Sequence, residues 1–120
     1  MGLLNLITAQ LLKRLGVTES LLTCFNETVV SSATYTTTNT DGFIKVGYTV
    51  TDVATITLGT LTAEDRRFIT VKDSGGNANT KNITVATEGA EKIDDADTAT
   101  INSDYGAMRF YWDGSSWSAF

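Results

Sequence analysis

The stretch Phe68–Val85, FITVKDSGGNANTKNITV, decides how this chain is read. Its two arms alternate apolar and polar residues, Ile69 and Val71 on one and Ile83 and Val85 on the other. β-Branched residues at a period of two belong on pleated strands with one dry face. Between the arms stand Asp73, Ser74, Gly75, Gly76, Asn77 and Asn79, which tolerate left-handed backbone or bond their own chain. The stretch therefore predicts a β-hairpin. A phosphate cradle on Gly75-Gly76 would need a following helix and a lysine at set spacing, and a strand follows instead.

Outward from this stretch the same period continues. ETVVSSATYTTT, GFIKVGYTV, VATITL, TATIN and AMRFYWD are all rich in β-branched or aromatic residues, from about Glu27 onward. Ile44, Val46, Tyr48 and Val50 alternate with Lys45, Gly47 and Thr49, which predicts one inward and one outward set. Turn signals such as TNTDG, DSGGNA and DG separate the strands. Residues 27–120 are thus expected to form a mainly β domain, an antiparallel β-sandwich or β-prism-like knob. The chain contains no proline, so its sheet edges must be protected by charge, twist or pairing with another chain.

Residues 1–26 follow a different period. Leu3, Leu4, Ile7, Leu11, Leu12 and Leu15 recur at helical spacing, Lys13 and Arg14 suit the negative end of a helix dipole, and Gly16 is a natural stop. An amphipathic helix is predicted over residues 3 to about 15, with a second short turn at VTESLL capped by Thr18. Each fully buried leucine is worth about 1.5–3 kcal/mol. A small β domain has little spare apolar face, so the stripe is expected to dock on a partner or on copies of itself, chiefly through Leu4, Ile7, Leu11 and Leu15. It holds no strict heptad, so a long coiled coil is not implied.

Composition limits the chemistry. A chain of 120 residues has the length of one domain, and 42% hydrophobic residues with 19% charged ones is the composition of an ordered protein. A net charge of −5 leaves no basic stripe for nucleic acid and would be repelled by an anionic membrane. The apolar start is too short and too interrupted for a signal peptide or a membrane span, and Leu6 stands where myristoylation needs serine or threonine. Cys24 is alone, so no intrachain disulfide forms and assembly in a reducing cytoplasm is expected; its own role is that of a small buried apolar residue. Histidine is absent, which removes the commonest general base and metal ligand together. Neither an enzyme nor a cofactor is expected.

Three clusters remain. Asp94, Asp95 and Asp97, with Asp104 later, could offer hard oxygens to calcium, but the spacing is not that of an EF-hand and a solvated acidic loop is expected. Two carboxylates would also suffice for glycoside hydrolysis, though nothing else in the chain supplies a substrate groove. At the C-terminal end, alternation puts Met108, Phe110 and Trp112 in the core, turns the chain at Asp113-Gly114, and leaves Arg109 and Tyr111 outward. Tyr111 and Trp117 are the candidate contacts for a sugar or for an intersubunit seam. Asn26 and Asn82 sit in glycosylation triplets, which carry no weight without a secretory signal.

RRFITVKDSGGNANTKNITV followed by EKIDDADTATINSDYGAMRFYWDGSSWSAF resembles a module of tailed-bacteriophage virion proteins, found in tail-fibre tips, head fibres and capsid decoration proteins. The shared pattern is a strand entering I-K-D-x-x-G-N-A, a strand N-I-T-I, an I-D-G step, T-I-N-x-x-Y-G, and a closing Y-x-D-G-x-x-W. It covers about residues 51–120; Asp95 departs from it, standing where the pattern has glycine. The resemblance implies a non-enzymatic virion subunit that assembles as a homotrimer. The expected function is a trimeric capsid cement or decoration protein, or a short head-fibre knob, attached through residues 1–26 to the major capsid protein or another virion protein. The alternative is a receptor-binding tip that recognises host-surface glycan.

Overall fold

The computed structural model describes residues 26–120; the expected helix, with Leu4, Ile7, Leu11 and Leu15, lies outside them. Nine strands follow: β1 Glu27–Val30, β2 Thr34–Thr36, β3 Phe43–Val46, β4 Ala54–Leu58, β5 Arg67–Asp73, β6 Ile83–Thr87, β7 Thr98–Ile101, β8 Ala107–Trp112 and β9 Trp117–Ala119. A short 3-10 helix, Tyr48–Val50, lies between β3 and β4.

The domain is mainly β, as the alternation requires, but its two sheets are mixed rather than antiparallel. One has the order β1-β3-β5-β8-β9 and the other β2-β4-β6-β7. Through β6 the chain passes from one sheet to the other at every step. Within the first sheet β1, β3 and β5 are parallel, in the register Thr28↔Ile44↔Val71. Within the second, β2, β4 and β6 are parallel, in the register Tyr35↔Ile56↔Val85. The chain is therefore coiled, each turn contributing one strand to each sheet. Among the strands, antiparallel pairing enters where β7 joins β6, β8 joins β5 and β9 joins β8.

Two expectations are corrected by this topology. Phe68–Val85 is not a hairpin: β5 and β6 lie in different sheets, and residues 74–82 arch between them. Ile69 and Val71 face Ile83 and Val85 across the core, all fully buried, instead of standing beside them. Packed sheets are about 10 Å apart, a gap that a nine-residue connection spans and a two-residue hairpin turn does not. Likewise ETVVSSATYTTT is not one strand, because residues 31–33 carry the chain from β1 in the first sheet to β2 in the second.

The core lies between the sheets. Val30, Ile44, Val46, Ile56, Leu58, Ile69, Val71, Ile83, Val85 and Phe110 fill it, and Trp112 and Trp117 close one end with ring centroids 5.3 Å apart. Two inward positions of β5 are charged. At its start, buried Arg67 donates to the carbonyls of Asn39 and Asp41. At its end, Asp73 is fully buried. Loop 37–42 is organised by a second buried carboxylate, Asp41, which accepts from the Thr28 hydroxyl, from the Tyr35 hydroxyl at 2.8 Å and from the Thr38 N–H at 2.8 Å. Burial, with the Asp41 carboxylate beside it, pushes the Tyr35 hydroxyl up from its ordinary pKa and keeps it a donor.

The abundance of threonine has a structural reason. On the outer face of the second sheet, Thr34, Thr55, Thr84 and Thr100 form one cross-strand row, and Thr36, Thr57, Ala86 and Thr98 the next. A β-branched methyl packs against its cross-strand neighbour while the hydroxyl stays toward water, so threonine suits a half-exposed sheet face.

Candidate functional site

The outer face of the first sheet differs in kind from that threonine face. Strand register sets its rows: Val29, Lys45, Lys72 and Ala107 in one, Glu27, Phe43, Thr70 and Arg109 in the next, and Phe68, Tyr111 and Ser118 in the third. Phe120, just beyond β9, exchanges backbone hydrogen bonds with Arg109 and so joins the second row.

These positions bring aromatic rings together in solvent. Phe68 lies 4.8 Å from Tyr111 and 6.5 Å from Phe120, centroid to centroid. The Arg109 guanidinium lies 4.8 Å from the Phe68 ring and 5.8 Å from that of Phe120, within cation–π range of both. Phe68 is 42% exposed and Phe120 68%. Beside them an open groove of about 400 Å³ is lined by Thr70, Ala107, Met108, Arg109 and Phe120. The face is also basic for so acidic a chain, carrying Lys45, Lys72 and Arg109 against Glu27, which pairs with Lys45 at 3.8 Å.

Of the two residues expected to make contacts here, Tyr111 belongs to this face and Trp117 does not. Trp117 is 1% exposed, packed on Trp112 in the core. β9 pairs with β8 in the register Trp112↔Trp117, and that pairing turns both rings inward. Sequence reasoning passed over Phe68 and Phe120. For Phe68 the signal was present, since it alternates with Ile69 and Val71 and must point away from the core. Phe120 lies past the last strand, and its place depends on β9, which no alternating run announced.

The aspartates of residues 94–97 do not converge. Asp94 and Asp95 have left-handed backbone, φ 48° and 66°, in a tight turn closed by the Ile93↔Ala96 bridge. Asp94 donates its N–H to the Trp117 carbonyl at 3.0 Å and accepts from the Ala119 N–H at 3.2 Å, so the turn anchors β9. Asp97 pairs with Lys92, and Asp104 accepts the Asn79 N–H at 2.9 Å. Among the described residues no group of three or more acidic, histidine or cysteine side chains is placed to hold a metal ion.

Asp73 organises the arch. Its Oδ1 accepts from the Thr49 hydroxyl at 2.5 Å and the Gly76 N–H at 3.1 Å, and its Oδ2 from the N–H groups of Ala78 and Tyr105, each at 3.0 Å. Burial pushes this carboxyl up, but those four donors together hold it below its ordinary pKa of 3.8. It is an anionic post to which three connections are tied. No protein-family model matches the chain, and no curated protein matches it.

Proposed function

We propose that this chain is a non-enzymatic virion structural protein of a tailed bacteriophage: a capsid cement or decoration protein, or a short head-fibre knob, built as a homotrimer. Residues 1–26 attach it to the major capsid protein or another virion protein, and the outer face of the first sheet is the seam between copies. The observation that carries the reading is the cluster of Phe68, Tyr111 and Phe120 around Arg109 on a sheet face in water. Contiguous exposed aromatic surface marks an association site, and a ring-lined groove closes best against a matching surface of another copy. A non-enzymatic role is further supported by the carboxylates. Asp41, Asp73, Asp94 and Asp113 each accept hydrogen bonds that fix a turn or an arch.

The test separates seam from anchor. Deleting residues 1–16 should leave a folded trimer that no longer decorates particles, whereas Phe68→Glu should leave a folded protomer of one third the native mass. Full decoration by the truncated chain would refute the attachment segment, and an unchanged mass for Phe68→Glu would refute the seam.

A further inference from the structure

Three cations stand on the aromatic sheet face, and two of them have polar partners there. Lys45 has the Glu27 carboxylate, and Lys72 Nζ donates to the Tyr105 carbonyl. The Arg109 guanidinium lies over the rings of Phe68 and Phe120, and among the described residues it forms no ion pair and no side-chain hydrogen bond. Its five N–H donors make a fixed fork, the shape that a carboxylate fills. The groove of about 400 Å³ opens beside it.

A three-fold ring is closed by heterologous contacts, in which one surface of each copy meets a different surface of the next. The aromatic face therefore needs a complement elsewhere on the same chain. The free margin of the first sheet offers one: residues 92–94 run along β9, with the Trp117 N–H donated to the Lys92 carbonyl and the Asp94 N–H to the Trp117 carbonyl. Residues 91–97 carry four carboxylates and one ammonium. Three of the carboxylates are engaged within the chain, Glu91 with the Gly89 N–H, Asp94 with the Ala119 N–H and Asp97 with Lys92. Asp95 is the fourth. It is exposed, at the tip of the turn closed by the Ile93↔Ala96 bridge, and its carboxylate forms no hydrogen bond or ion pair among the described residues. Aspartate is admitted to left-handed backbone by bonding its own chain, and at φ 66° Asp95 makes no such bond.

Resting on that seam, we propose that the Asp95 turn of one copy docks in the groove of the next, where its carboxylate takes the Arg109 fork beside Phe68 and Phe120. An acidic margin then meets a basic face. Two like faces would instead set Arg109 and the lysines against their own kind, which costs free energy. The rings exclude water around the pair, so its attraction is stronger than on an open surface.

The experiment follows the full chain through a dilution series by sedimentation and reads the concentration at which the trimer half-dissociates. Asp95→Asn should raise that concentration about tenfold and Arg109→Gln at least as much, while the double variant should go no further than Arg109→Gln alone, because both remove one contact. Asp95→Gly relieves the backbone yet should dissociate as readily as Asp95→Asn, so fold and contact are separated. Glu64→Gln makes the same change of charge at another exposed, unpaired carboxylate and should leave the value unchanged. A trimer indifferent to Asp95→Asn, strictly additive single effects, or an equal shift in Glu64→Gln overturns the pairing while the seam, read through Phe68→Glu, stands. A wild type that is monomeric at every concentration overturns seam and pairing together.

Discussion

Asp73 shows how much one residue can fix. Its two oxygens each serve two donors, Thr49 and Gly76 on one and Ala78 and Tyr105 on the other. Asparagine can supply only one such oxygen, so its NH₂ group must face one pair of donors. Asp73→Asn should therefore cost roughly 2–4 kcal/mol at neutral pH, read from the denaturant midpoint. The pH dependence has a definite sign. A carboxyl held below its unfolded pKa contributes stability above the unfolded value, and that contribution disappears as pH falls through the folded value. Wild-type stability should thus drop below about pH 4, with a shallower fall in Asp73→Asn. Asp95 gives the opposite case. Its φ of 66° is the conformation that glycine adopts without strain, so Asp95→Gly should raise stability by about 0.5–1 kcal/mol, measured by thermal melting. Thr49 and Val50 show why alternation misreads single residues. Counting by two from Ile44 puts Val50 inside, but β3 ends at Val46 and the 3-10 helix reverses the sense. Thr49 is then buried, bonded to Asp73, and Val50 is 63% exposed. Nothing local marks that reversal, because its cause is a carboxylate 24 residues away.

At the level of elements, strands were legible and their neighbours were not. Ile56, Leu58, Ile83, Val85 and Phe110 take the inward positions that a period of two assigns them. Which strand lies beside which is decided by connections, and there the glycine pair misled. Gly75-Gly76 has the composition of a hairpin turn, but it serves close approach within an arch. A Cβ on Gly75 would overlap the Thr49 hydroxyl and press on the Gly47 carbonyl, both belonging to the connection that packs beneath it. In a solvent-exposed hairpin turn the same methyl would meet water. Gly75→Ala should therefore lower stability by roughly 1–3 kcal/mol, the range for overpacking, with the midpoint in urea as the measurement. A change within a few tenths would show that the connection beneath gives way to the added methyl without cost. The parallel pairing was hidden for a related reason: alternation reports which face of a strand is dry, and is silent on the direction of its neighbour. The acidic run at residues 94–97 was likewise read for its charge, although its effect in the fold comes from two left-handed residues that secure β9.

For the whole molecule the question is where the assembly energy of the proposed trimer would reside. The domain presents two unlike outer sheet faces. One carries rows of threonine with no charged residue among them, and the other carries Phe68, Tyr111 and Phe120 with Arg109 stacked between rings. Residues 3–15 add, in the sequence, a stripe of leucines at helical spacing. A stripe that held the copies together would make the trimer depend on it; a seam on the sheet face makes the trimer independent of it. Association must overcome an estimated 4–15 kcal/mol of lost translational and rotational freedom, and fully buried aromatic side chains return about 1.5–3 kcal/mol each. Several rings per protomer, repeated round the proposed three-fold ring, can meet that requirement without residues 1–25. The native mass of the full chain and of a chain lacking residues 1–16, measured by light scattering, should therefore be trimeric in both. Phe68→Glu should be monomeric in both, since the ring is lost from the seam and the new carboxylate, even with Arg109 beside it, would have to be desolvated there. A truncated wild-type chain that runs as a monomer would move the assembly energy to the leucine stripe and leave the aromatic face free for another partner.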